Sequence, residues 1–246
     1  MDFLVRPSVS RLVRALAFGA AALVMSAALG ASASAGVVTT SSVLAAAKAA
    51  ITKRSSVHLV VTFKPSSSSS TEKTAADLGE KSGVESISLG KATLTTEVTP
   101  ARAYVRGNYS GLTTISGLSS AEAKKLGKDW MFVNTGTSEY SSVESNLTIS
   151  WVTGGLPAAK GTKLSTEVVK GAKLYILRWT TAATSSAPKL SNTLIISAVG
   201  ATLPVEDTMT ASGSGKETIM FSNWGEHVVV SAPPASSTIA YSKITG

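Results

Sequence analysis

Cysteine is missing altogether from this 246-residue chain, and only two histidines, His58 and His227, are present. Without cysteine there is no disulfide, no thiolate metal centre and no thiol nucleophile. The cysteine that bacterial lipoproteins acylate at their cleavage site is missing too, so no lipid anchor of that kind is expected. Catalytic motifs are equally scarce. No HExxH occurs, and the GNYSG stretch at 107–111 has its serine one place too late for a nucleophile elbow. GSGK at 213–216 fails as a phosphate loop, because Thr210 stands where the first glycine belongs and Glu217 follows the lysine. Glu206-Asp207 reads as a solvated face of a strand. The expectation is a protein that is not an enzyme and has no metal or cofactor. No basic run is interleaved with aromatics, which argues against a nucleic-acid partner. The net charge of +8 serves solubility, and a mild attraction to anionic headgroups or cell-wall polymers is the other reading.

The first stretch is a leader rather than part of a fold. Arg6, Arg11 and Arg14 precede the uncharged run ALAFGAAALVMSAALG, and small residues then end in Ala33-Ser34-Ala35. This order predicts a secretory signal peptide over 1–35, with an uncleaved membrane anchor as the rival reading. Residues 36–246 are long enough to bury a core as a single domain without staples.

Hydrophobic periodicity organises that domain. Val43, Leu44, Ala47, Ala50 and Ile51 recur at helical spacing, with Ser41 or Ser42 as candidate cap. SVHLVVTF (56–63) alternates as a strand. Residues 64–83 are polar and serine-rich, and are expected to form a flexible loop. VESISLG, ATLTTEV and ARAYVRG follow as hairpin strands, and then a helix capped by Ser119 or Ser120. DWMFVN (129–134) is a further strand, and Tyr140, Val143, Leu147 and Trp151 predict a second amphipathic helix over 138–152. The remainder is strands from Lys163 onward, ending in HVVVSA before Pro233 and Pro234 stop the sheet. The total is about ten strands.

Several strands are apolar on both faces. In AKLYILRWT, Tyr175, Leu177 and Trp179 alternate with Leu174 and Ile176. A sheet with one wet face would place polar residues at every second position, so both faces need cover, or one holds an apolar ligand. The candidate lining is Val60, Tyr104, Trp130, Phe132, Leu174, Ile176 and Ile196, each of which also fits an ordinary core position.

Certain segments are similar to known proteins: AAAKAAITKRSS running into VHLVVTF, SAEAKKLGKDWMFVN, NTLIISAVGATLPVE and FSNWGEHVVVSAPPAS. Together they resemble the actinobacterial LppX/LprG-type proteins and the wider LolA-like class of lipid and lipoprotein carriers. The resemblance implies an α+β fold, a curved antiparallel half-barrel with helices on the concave face over an apolar pocket. It implies an exported carrier or binding protein for a lipid, acyl chain or lipoprotein in the bacterial cell envelope. An envelope sensor with a membrane-protein partner is the alternative. The expected partners are a lipid or acylated ligand and transient contact with the membrane surface or envelope proteins; the chain is expected to be monomeric.

Overall fold

Thr39 opens the first described element: its hydroxyl accepts from the Ser42 amide at 3.1 Å, and the Ser42 hydroxyl accepts from the Thr39 amide at 3.0 Å. This reciprocal cap places the start of helix α1 (Thr40–Thr52) ahead of the serines expected to cap it. Val43, Leu44, Ala47 and Ile51 form its buried stripe. The computed structural model describes residues 37–184 and 188–245, so the leader expected over 1–35 lies outside the described residues. No helix among the described residues is long and apolar enough to cross a membrane.

Twelve strands make one open sheet: β1 (Ser56–Pro65), β2 (Glu72–Gly79), β3 (Gly83–Leu89), β4 (Ala92–Val98), β5 (Arg102–Gly107), β6 (Trp130–Asn134), β7 (Lys163–Val169), β8 (Ala172–Thr181), β9 (Leu190–Ser197), β10 (Pro204–Ala211), β11 (Gly215–Ser222) and β12 (Thr238–Ala240). Their order is β12-β6-β5-β4-β3-β2-β1-β11-β10-β9-β8-β7. Every pairing is antiparallel except the parallel β12–β6 pair. The sheet does not close on itself, and it forms a curved α+β half-barrel. Hairpin turns do much of the ordering. Lys170 and Gly171, at φ 50° and 81°, form the two-residue turn between β7 and β8 that matches strand twist.

The helices gather on one face. Between β5 and β6 come α2 (Tyr109–Thr114) and α3 (Ser120–Leu126); between β6 and β7 come α4 (Ser138–Asn146) and α5 (Ser150–Gly154); α6 (Tyr241–Thr245) ends the described chain. Of the four buried apolar clusters among the described residues, three join helices to the sheet. Ile51, Val57, Leu59, Val143 and Phe221 belong to the central one; Ile87, Leu112, Leu126, Met131 and Ile244 to the second, at the β4–β6 end. In the third, Val43, Leu44 and Ala47 of α1 meet Leu177, Leu194 and Ile196. Helix α1 therefore bridges the two halves of the sheet, with Ile51 in one cluster and its first turns in another.

Four expectations are corrected. Residues 64–83 are not a flexible loop throughout, because Glu72–Gly79 is strand β2, paired along its length with β1 and β3. Its inward residues include Glu72 and Thr74 beside Ala76 and Leu78, and that polarity concealed the strand. The helix expected over 138–152 is broken after Asn146: Thr148 bridges to Gly79, and the Ile149 amide donates to the Gly79 carbonyl at 2.9 Å. Tyr140, Val143 and Leu147 still face the core, as their spacing predicts. HVVVSA is an extended strap rather than a strand, and Val229 in it is 70% exposed. Pro233 and Pro234 do not stop the sheet, since β12 follows them and pairs with β6, and α6 docks there too.

Candidate functional site

Alternation along each strand assigns every side chain to the helix-covered, concave face or to the outer one. Leu59 lies opposite Ala76 and Phe221 in the core, which turns Val60 outward beside Met220, at 41% and 43% exposure. Leu177 lies opposite Leu194 beneath α1, which turns Leu174 and Ile176 to the outer face opposite Ser197 and Ile195. Ala103, Val105 and Met131 are inward, so Tyr104, Trp130 and Phe132 are outward. Of the expected lining, Ile196 alone is on the concave face, fully buried against α1. Val60, Leu174, Ile176, Tyr104, Trp130 and Phe132 are corrected to the outer side.

On the concave face, the residues left half-covered are different ones. Leu156, Ala159, Leu164, Tyr175 and Trp179 pack only partly against the α1 cluster. They come from the α5–β7 connection and from strands β7 and β8. Tyr175 and Trp179 were visible in the sequence as one of two apolar series in AKLYILRWT. What was not visible is which series faces inward. Polar side chains share this face: Glu72, Thr74, Glu85, Thr96, Asn192 and Glu217 are all buried. The concave surface is thus apolar ground crossed by buried polar positions rather than uniformly greasy.

Tyr104, Trp130 and Phe132 do come together, on the outside. The Tyr104 and Phe132 rings are 6.4 Å apart, the Arg102 guanidinium lies 4.3 Å from the Phe132 ring centre, and Arg106 lies 4.5 Å from that of Trp130. These are stacked cation–ring pairs. Glu97 faces Tyr104 across the β4–β5 pair. Burial pushes its carboxyl above the ordinary value, and the nearby Arg106 charge offsets only part of that.

Both histidines line an outer cleft of about 290 Å3, with Ser56, Asp77, Glu226 and Val228. His58 Nδ1 and Asp77 Oδ1 are 2.7 Å apart. A base with an orienting carboxylate needs a nucleophile to do acyl transfer. The Ser56 hydroxyl instead donates to the Glu226 carbonyl and is 2% exposed. Among the described residues, no group of three or more His, Asp or Glu is placed to hold a metal ion. The neighbouring turn is held by Trp224, which stacks on Phe221 with centroids 6.0 Å apart and donates to the Pro204 carbonyl at 3.2 Å. Gly225, at φ 85°, adopts a backbone conformation that suits glycine there.

No family model matches the chain, and no curated protein matches it either. Among solved structures it is similar to the Mycobacterium tuberculosis lipoprotein LppX, at 18% identity over 78% of this chain and 99% of that one, with a TM-score of 0.49. LprF from Mycobacterium bovis is similar at 16% identity over 79% and 96% of the two chains, with a TM-score of 0.48. MucB, solved in complex with MucA, is similar at 14% identity over 84% and 59%, with a TM-score of 0.35. These are likenesses of fold.

Proposed function

We propose that this protein is an exported, freely diffusing carrier or binding protein for a lipid or other acyl-chain ligand, and not an enzyme. The ligand compartment is the concave face beside α1. The observation that carries the reading is the group Leu156, Leu164, Tyr175 and Trp179, large apolar side chains left half-covered where helix α1 meets β7–β9. Each acyl methylene moved from water onto such a surface is worth about 0.8 kcal/mol, so a modest apolar wall suffices to hold a chain. Export follows from the leader-like first residues, and the lack of cysteine leaves no acylation site for tethering. A monomer meets this role.

The test is to purify the protein from an expressing bacterium, extract it with organic solvent and analyse the extract by mass spectrometry, with fluorescent fatty acid titrated in parallel. A stoichiometric lipid in the extract, or saturable uptake of the probe, is the expected result. An extract free of lipid together with no uptake overturns the reading. Recovery of one stable membrane-protein partner without lipid would instead favour a sensor.

A further inference from the structure

We propose that the outer face of β4–β6 is a docking site for the phosphate-bearing headgroups of an anionic lipid surface. The site is a cleft of about 370 Å3 lined by Thr93, Thr95, Arg106, Gly107, Asn108 and Lys128. Alternation along ARAYVRG places Arg102, Tyr104 and Arg106 on this face, and the Trp130 ring beneath Arg106 fixes the plane of its guanidinium. The Asn108 amide is fully engaged: Oδ1 accepts from the Thr93 and Gly111 amides at 3.2 and 2.7 Å, and Nδ2 donates to the Lys91 carbonyl at 2.7 Å. It therefore builds the wall and leaves recognition to the guanidinium, the ammonium and two threonine hydroxyls. Among the described residues, the Lys128 ammonium and the two threonine hydroxyls are in no hydrogen bond or ion pair, while the Arg106 guanidinium has the Trp130 ring and the Glu97 carboxyl beside it.

The chemistry left open is cationic and donor-rich, which suits a phosphate oxygen. Two acids lie nearby. Asp129 follows Lys128, and Glu97 is near Arg106, with burial raising its carboxyl above the ordinary value and the Arg106 charge lowering it. A surface rather than a small free anion is favoured by the rim. Tyr109, next to Asn108 in the chain, is 48% exposed, and the Lys91 backbone carbonyl accepts from the Asn108 side chain, so an aromatic and a further basic residue are neighbours of this lining residue. Aromatic rings and cations beside one another suit the headgroup level of a bilayer. The inference stands apart from whether the concave face takes lipid.

The experiment is co-sedimentation of the full protein with vesicles of equal parts phosphatidylcholine and phosphatidylglycerol, against phosphatidylcholine alone. Each cation in contact contributes about a fivefold change in partitioning, so Arg106→Gln with Lys128→Gln is expected to weaken binding about thirtyfold. Lys163→Gln with Lys173→Gln, on the far edge at β7–β8, removes the same charge and is expected to leave binding within about threefold of the parent. Lys128→Gln alone, at an exposed position, keeps the Trp130 stack intact and is expected to lose about fivefold. Equal losses in the two double variants would overturn the site, leaving only general attraction of a basic protein. So would equal binding to both vesicles, or saturable uptake of inorganic phosphate at the cleft without vesicle binding.

Discussion

Glu97 is a carboxylate placed where water reaches it poorly, opposite Tyr104 and near Arg106. Its folded pKa is raised, so the native state holds a proton more tightly than the unfolded chain does. Stability then falls as pH climbs above the ordinary glutamate value of 4.5. Glu97→Gln is expected to flatten that part of the curve and to melt at or above the parent temperature at neutral pH, read by circular dichroism at a series of pH values. Glu122 behaves in the opposite sense. The Ser119 hydroxyl and amide hold its carboxylate below the ordinary range, so its contribution is present above that range and fades as pH falls. Single residues also show what alternation leaves open. Leu174 and Tyr175 are both apolar, and no local rule chooses which of them faces the helices. The choice depends on Leu177 meeting Leu194 under α1, a contact made between strands.

At the scale of elements, α2 and α3 are fastened to the sheet by small, checkable features. A Cβ at Gly111 would land on the Thr93 carbonyl, because α2 crosses β4 at close range. Gly111→Ala is expected to cost about 3 kcal/mol in urea unfolding, as helix and strand are forced apart. Ser119 caps α3 in a box with Glu122, and Ser119→Ala is expected to cost about 1 kcal/mol, a fall of about 2–4 °C in melting temperature. Such a cap is legible, since S-x-x-E ahead of an apolar-periodic stretch announces it. Strand β2 was illegible for the opposite reason. Glu72 and Thr74 point inward, so the apolar-in, polar-out pattern that marks a strand is missing from half of it. The strap after Gly225 misleads in the other direction. HVVV has strand composition but no neighbour to pair with, and the chain passes on to meet β6 instead.

For the whole molecule, the sheet has a helix-covered face and an outer face, and the two proposals differ by face. Trp179→Ala, on the concave side, is expected to lower affinity for a fluorescent fatty acid about tenfold. Val60→Ser, on the outer side, is expected to leave that titration unchanged and so acts as its control. Loss in the second without loss in the first would move the ligand compartment to the outer face.

Alternation, helical spacing and turn residues act within a few positions. For that reason α1, the hairpins β3–β5, the strand β6 and the run from β7 to β11 were determined by the sequence alone. So was the lack of thiol and disulfide chemistry, since the absence of cysteine is a property of composition. Only the tertiary structure decided the face on which each apolar series lies. It also decided that Tyr104, Trp130 and Phe132 gather under two arginines on the outside, and that the chain's end returns to the β6 edge. These outcomes depend on pairings between residues far apart in the chain. Their register is chosen by the buried area of the entire sheet, not by any local pattern.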